Sequence, residues 1–417
     1  MKKWISFLIA IAVIIIAFFI ARPKLVENYY QKAQAYSDSA NYELAVNYYT
    51  KALKFSKKHE KSLLNRANAF YQLNKLDDAM QDFSQVISLN DQNAEAYFGR
   101  ALIYIQKDDF ERAINDLNLV KEIKTDDADV FYFLGFSKSN LNNYDEALNY
   151  LNKAIELDSV YAEAFHQRGI VKANLSDLEG SVQDFNRALE LDKDNLDAYQ
   201  RRVKYRIDKA DYRGAIADYD AIINLDENNQ DAYYQRGYFK LQIDDYQGAI
   251  SDFTRSIEIK PNDAKSYKKR GNAKAAMANF EEALIDLNKA IELNSADFEP
   301  YYSKGMVYLN MNQLNKAISS FTKAVGVKQN YSEAYYMRGV CKAMQQKYQE
   351  SITDFNLSIK HNKNYYDAYL GRAISLGVLK EHEKALADYD FYLNHIKSNG
   401  NAYLNRGISR INVRDNK

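Results

Sequence analysis

Residues Gln230 to Asp263, QDAYYQRGYFKLQIDDYQGAISDFTRSIEIKPND, decide how the chain is read. Tyr233, Gly237 and Leu241 lie four apart and share one helical face. After the polar turn Asp244-Asp245, a second amphipathic stripe runs through Tyr246, Ala249, Ile250, Phe253 and Ile257. Pro261 and Asn262 stop that helix, since proline lacks the N–H needed to continue it. Each helix is only about three turns long, too short to persist alone in water. The hairpin therefore needs neighbours to lean on.

The neighbours are present. With Val26 as position 1, equivalent starts fall at Glu60, Ala94, Ala128, Ala162, Leu196, Gln230, Ala264, Phe298, Ser332 and Tyr366, a step of 34 residues without insertion or deletion. Position 8 is Ala or Gly, from Ala33 to Ala373, except at Val203, and position 20 is Ala or Ser, from Ala45 to Ala385. Position 24 is always large and apolar, from Tyr49 and Phe83 to Phe355 and Tyr389. Small residues at 8 and 20 let the two helices of a hairpin approach closely.

An internal covariation pairs those helices. Position 7 is Arg at residues 66, 100, 168, 202, 236, 270, 338 and 372, and position 23 is Asp in the same eight copies, at 82, 116, 184, 218, 252, 286, 354 and 388. Where position 7 is Lys32, Leu134 or Lys304, position 23 is Tyr48, Tyr150 or Ser320. A partly buried salt bridge inside each hairpin is expected, the arginine fork suiting a carboxylate.

The period of 34 and these small and aromatic positions resemble the tetratricopeptide repeat over residues 26–417. The proline of position 32 survives only as Pro261, and the aromatic of position 11 only as Tyr36, Phe70, Tyr104 and Tyr308. Val203, beside Lys204, suggests a slightly splayed sixth hairpin. The resemblance implies an all-α chain, an α-solenoid wound as a right-handed superhelix. It would hold eleven helix-turn-helix repeats over 26–399 and a partial twelfth repeat or capping helix over 400–417. As a cap, that helix would cover the eleventh repeat with Tyr403 and Ile408 and expose Arg406, Arg410 and Arg414.

In the family, positions 2, 5, 6, 9 and 12 of the first helices face a concave groove that takes peptides or partner proteins. Here those positions carry Tyr30, Phe98, Tyr132, Phe133, Phe136, Tyr234, Tyr238, Tyr302, Met306, Tyr336 and Met337. Aromatic and methionine side chains suit an apolar peptide or helix. They also suit simple packing between adjacent first helices. The same positions turn polar at Arg201, Lys204, Gln235, Lys265, Lys268 and Lys269. This set partly resembles the carboxylate clamp by which some relatives hold chaperone C-termini. Lys265 and Lys269 match its positions 2 and 6, whereas Gln200, Lys204 and Gln235 depart from the Lys, Asn and Asn of the clamp. An acidic or carboxylate-bearing ligand is implied; the alternative is a solvated basic face offset by Asp197 and Asp231.

The chain opens with a basic stretch, residues 1–3, and an uncharged run, residues 4–21, before Arg22-Pro23-Lys24. Eighteen helical residues span roughly 27 Å, close to the bilayer's hydrocarbon thickness. A transmembrane signal-anchor helix is expected over 4–21, joined to the repeats by a short linker, 22–25. A cleaved signal peptide competes, with an unusually long apolar core and Phe18-Phe19 spoiling a small-x-small cleavage site. The anchor resembles a bacterial signal-anchor, implying a single pass through the cell (inner) membrane and an extracytoplasmic body. Lys51, Lys54, Lys57, Lys58 and Lys61 lie near the anchor and could meet anionic headgroups, or could simply complement a helix C-terminus.

Lys plus Arg equals Asp plus Glu at 56 each, so no bulk field favours nucleic acid. Cys341 is the single cysteine, at position 10 of a first helix, and reads as a core residue. The five histidines are scattered without metal-ligand spacing, and no phosphate loop or nucleophile motif occurs. No catalytic, cofactor or metal residue, and no small-molecule substrate, is expected. Two functions fit. One is a membrane-anchored protein–protein interaction scaffold. The other is a non-catalytic regulatory or substrate-binding subunit of a membrane enzyme or secretion assembly.

Overall fold

A computed structural model describes residues 2–415. Met1, the side chains of Lys2 and Lys3, and Lys417, on which the basic terminus and the end of the capping helix were expected, lie outside the described residues. The described residues hold 23 helices and no strand. The chain divides between Tyr205 and Arg206, inside the helix Leu196–Asp208, into two compact units.

The first unit begins with α1 (Lys2–Asp38), α2 (Tyr42–Phe55) and α3 (Glu60–Gln72). Its later first helices are Ala94–Gln106, Ala128–Asn140 and Ala162–Asn174; its second helices are Leu76–Leu89, Phe110–Ile123, Tyr144–Leu157 and Leu178–Leu191. In the second unit the first helices are Gln230–Gln242, Ala264–Ala276, Glu299–Asn310, Ser332–Met344 and Tyr366–Val378. Their partners are Tyr246–Ile259, Phe280–Leu293, Leu314–Val327, Tyr348–His361 and His382–His395, preceded by Tyr212–Leu225 and followed by Gly400–Asp415. Within each unit every helix packs on the next, and several first helices also touch the next first helix.

The two helices of a hairpin approach each other closely. A Cβ built on Gly305 would stand 2.5 Å from the Phe321 ring, and one on Gly135 2.7 Å from Leu151. Position 24 is thus seated on the bare backbone of the position 8 glycines, where Phe321, Phe253 and Phe355 are fully buried, and Tyr49 is fully buried over Ala33. Each turn between the two helices contains one residue with positive φ, from Ala40 at 56° to Lys380 at 64°, none of them glycine. That residue ends the first helix in the left-handed conformation, and the next N–H reaches back five residues, as Asn279 does to the Lys274 carbonyl at 2.9 Å.

The covarying pair forms a bidentate bridge at Arg66, Arg100, Arg168, Arg236, Arg270, Arg338 and Arg372. In the seventh repeat Arg236 Nε donates to Asp252 Oδ2 at 3.0 Å and Nη2 to Oδ1 at 2.5 Å. The corresponding distances for Arg66 and Asp82 are 2.7 and 2.8 Å. Two further partners were not foreseen. The remaining Nη1 donates to position 25 of the preceding repeat: Arg66 to Thr50 at 3.0 Å, Arg168 to Asn152 at 2.9 Å, Arg236 to Asp220 at 2.6 Å. Position 11, where the family aromatic is often missing, carries a second cation for the same aspartate. Lys172, Lys240, Lys274 and Lys342 reach Asp184, Asp252, Asp286 and Asp354 at 2.7–3.0 Å.

The two ends depart from expectation. Residues 22–25, expected as a linker, carry no break, and α1 runs through Pro23 into the first repeat. The Arg22 guanidinium donates to the Phe55 carbonyl, which ties α1 to the end of α2 across this stretch. In Gly400–Asp415 the contact with the eleventh repeat is made by Ala402 and Ser409, while Tyr403 and Ile408 are 42% and 47% exposed. Arg406 and Arg410 are not left to water, since both donate to Asp390, at 2.9 and 3.4 Å. The small residues face inward because a first helix presents position 3 and position 10 to the preceding hairpin, as Ala232 and Phe239 do in the seventh repeat.

Two outcomes are expected. In a urea-denaturation cycle, Asp252→Asn and Arg236→Leu should couple by about 1–3 kcal/mol, the value of a charge-assisted buried bond; zero coupling would reject the bridge as a stabilising element. Ala278→Gly should raise the unfolding midpoint, because relief of the left-handed conformation, about 1–2 kcal/mol, exceeds the added chain entropy of glycine, about 0.5–1 kcal/mol.

Candidate partner-binding face

Position 5 of the first helices does two things at once. Its ring rests on the position 24 ring of its own repeat: Tyr30 on Tyr49 at 5.9 Å, Tyr234 on Phe253 at 5.8 Å, Tyr302 on Phe321 at 5.5 Å, Tyr336 on Phe355 at 5.9 Å between centroids. The outer part of each ring stays accessible, and all four are half-buried. These side chains are therefore held rigid without being removed from the surface.

A second ring completes the layer. Tyr132 meets Tyr161 at 5.1 Å, Tyr302 meets Tyr331 at 5.2 Å, and Tyr336 meets Tyr365 at 5.1 Å. The partners occupy position 34, directly before the next first helix, where Asn93, Asn229 and Asp263 instead cap that helix by accepting from the N–H three residues on. Tyr161, Tyr331 and Tyr365 make no such side-chain cap. The signal was legible, since a tyrosine stands where the other repeats keep a capping side chain. Burial pushes the Tyr132 hydroxyl up to about 12 and raises Tyr302, Tyr336 and Tyr365 as well.

In the first unit Tyr132 also meets Phe133 at 5.0 Å and Phe136 at 6.3 Å, and Phe98 meets Phe133 edge-on at 5.7 Å. These four expected residues therefore form one aromatic cluster. Arg201 is exposed and paired with Asp197 at 2.6 Å, and Lys204 is exposed. In the second unit Met306 and Met337 pack with Tyr302 and Tyr331 around Phe321. Gln235 lies within 3.5 Å of Asp231 on its own helix.

The lysines of the eighth repeat divide by partner. Lys268 donates to Asp297 at 2.7 Å and Glu299 at 2.6 Å. Burial opposes its charge, but those two carboxylates outweigh burial and hold the ammonium above the ordinary lysine range. Lys268–Asp297 is the ionic counterpart of Tyr302–Tyr331, the same two positions filled with opposite charges. Lys269 sits 5.0 Å above the Tyr238 ring, and burial followed by repulsion from Lys268 lowers its pKa. Lys265 is exposed one turn away. Lys265 and Lys269 thus have no carboxylate partner among the described residues, whereas Lys268 is already neutralised.

Among the described residues no group of His, Cys, Asp and Glu side chains could hold a metal ion. Cys341 is fully buried, and burial pushes its thiol up to about 11, which leaves it protonated.

Comparison with known proteins gives two family matches. A profile described as tetratricopeptide repeat matches residues 26–59, 94–127, 128–161, 162–195, 230–263, 264–297 and 298–331. A second, described as TPR repeat, matches residues 67–108. No curated protein matches. Among solved structures, YrrB, described as a TPR protein with an unusual peptide-binding site, is 26% identical over 45% of this chain and 97% of its own, with a TM-score of 0.38. Yeast Tom70 is 15% identical over 94% of this chain and 97% of its own, TM-score 0.42. The C-terminal part of a TPR repeat-containing protein from Cytophaga hutchinsonii is 19% identical over 57% of this chain and 97% of its own, TM-score 0.46.

A pH response should follow from two histidines of the first unit. His166 Nε2 lies 2.8 Å from Asp197 Oδ2, yet burial outweighs that carboxylate and lowers its pKa; burial lowers His59 likewise. A depressed histidine binds its proton less readily folded than unfolded. Its contribution is therefore complete above the ordinary value of about 6.5 and is lost as pH falls through the lower folded value. The urea midpoint should drop between pH 7.5 and 5.5, and His59→Gln with His166→Gln should flatten that drop; an unchanged slope would show that other groups cause it.

Proposed function

We propose, on the premise that this chain belongs to the tetratricopeptide repeat family, that it is a membrane-anchored scaffold which holds partner proteins or peptides on its first-helix faces. Stacks of this family present extended surfaces to other proteins rather than a reaction centre. One observation carries the finer reading: within the second unit, half-buried Tyr and Met side chains packed against position 24 and position 34 adjoin two lysines without a carboxylate partner among the described residues. Locked rings lose little entropy on binding, which is what makes Tyr and Met surfaces strong anchors. The ligand that fits is an extended segment or helix with apolar side chains and a carboxylate. Tyr302, Met306, Tyr336 and Met337 would meet the apolar part, and Lys265 and Lys269 the acid.

Anchoring is assigned to α1. Its described residues Trp4, Phe7, Leu8, Ile9, Ile16, Phe19 and Ile20 expose large apolar side chains, with Trp4 at 73% and Ile20 at 74%, and the helix is long and apolar enough to cross a membrane. Such a surface is stable in lipid and unfavourable in water. We assign the repeats to the extracytoplasmic side of the cell membrane.

Crosslinking in intact membranes followed by mass spectrometry should recover specific partners. Tyr302→Ala with Tyr336→Ala should lower that recovery at least tenfold, the order of two lost interface anchors. Lys265→Glu with Lys269→Glu should lower it too, and more steeply for acidic partners. Recovery unchanged in both variants would remove the proposed face; digestion of the repeats by protease added to cells stripped to the cell membrane would support the assigned side, and protection would reject it.

A further inference from the structure

The place where the apolar helix meets the first hairpin holds a cleft of about 580 Å³. Arg22, Pro23, Val26 and Glu27 of α1 line one side, and Ser56 and His59, from the loop joining α2 to α3, line the other. Arg22 is fixed across it by its bond to the Phe55 carbonyl. The loop between Ser56 and His59 adds Lys57 and Lys58, both exposed, and Lys24, Lys54 and Lys61 are exposed beside it. The nearby acids are fewer. Glu60 is occupied by Asn90 and Asn93 at 2.9 and 2.8 Å, and Glu27 accepts from Gln31 at 2.6 Å.

The depth of this cleft is set by the unbroken helix. Ile20 ends the exposed apolar run and Val26 is the first buried residue of the repeats. The six steps between them rise roughly 9 Å, close to the roughly 5–8 Å headgroup layer on each face of a bilayer. A flexible linker would leave the hairpin free to drift from the surface. A continuous helix does not.

We infer that this cleft and its lysines form a headgroup site for anionic phospholipid, which rests on the reading that residues 4–21 span the membrane. The lipid phosphate would sit against Arg22 with Lys57 and Lys58 around it, and the acyl chains would run down the apolar face of α1 past Phe19. Cations at this height gain from an anionic surface, and the gain is additive over several residues. Lys57 and Lys58 are exposed and have no acid partner among the described residues.

The test is native mass spectrometry of the full chain in mild detergent with equal amounts of phosphatidylglycerol and phosphatidylcholine. Wild type should retain phosphatidylglycerol over phosphatidylcholine by roughly tenfold, the effect expected of several juxtamembrane cations. Arg22→Gln with Lys57→Gln and Lys58→Gln should bring the ratio near one. Lys57→Gln with Lys58→Gln alone, which leaves the Arg22 tie intact, should lower it partway. A matched control, Lys289→Gln with Lys380→Gln and Lys397→Gln, should keep it. Equal retention of both lipids by wild type, or a preference surviving in the triple variant, would overturn the site. Alkaline extraction of cell membranes separates this from the anchoring reading. A chain that stays in the membrane without lipid preference rejects the headgroup site alone, whereas a chain found cleaved after residue 21 rejects both.

Discussion

The large side chain at position 24 occupies the space that a side chain at position 8 would otherwise fill. Phe321 over Gly305 and Phe253 over Gly237 leave no room for anything beyond hydrogen or, where the ring shifts slightly, a methyl group such as Ala33 beneath Tyr49. This contact sets the distance between the two helices of a hairpin, and most other interactions presuppose that distance. The bridge from position 7 to position 23 is one of them, and its geometry repeats closely from Arg66–Asp82 to Arg372–Asp388.

The bridge matters because of where the carboxylate sits. Across the pairs from Arg66–Asp82 to Arg372–Asp388 described above, the aspartate side chain is 1–9% exposed and the arginine 14–22%. A surface ion pair contributes about 0–1 kcal/mol, but a carboxylate this buried would be costly without both prongs of the fork. The arginine then spends its remaining donor on position 25 of the repeat before, so one side chain closes a hairpin and joins it to its neighbour. Three repeats omit the device without losing the fold. In the fourth, Leu134 is fully buried and Tyr150 packs on Phe131 instead, an apolar exchange that buried ion pairs commonly tolerate.

The proposed partner face is built on the same first helices. Because positions 7 and 8 hold the hairpin, position 5 is free to lay a ring on position 24 and show its edge to the surface. The Tyr302, Tyr331, Tyr336 and Tyr365 layer is packed for that reason, and one repeat earlier Lys268 and Asp297 fill the same two positions with an ion pair. A repeat architecture can vary such pairs one at a time, since each contacts only its neighbours.

The one-dimensional record was rich where the physics is periodic. A fixed step of 34 residues, small residues at two positions and the covariation of Arg with Asp sufficed for the helices, their pairing and the bridge between the two helices of a hairpin, because these contacts recur within a single repeat. Contacts that cross from one repeat to the next were not legible in that way. The Thr50, Asn152 and Asp220 acceptors share hydrogen-bonding capacity but no residue type, so nothing in their letters announced a common role. The unbroken passage of α1 through Pro23, the inward turn of Ala402 rather than Tyr403, and the division of the eighth-repeat lysines into neutralised Lys268 and unpaired Lys269 were decided only in three dimensions. Each depends on which neighbour a side chain meets, and local pattern carries no information about that neighbour until the chain has folded.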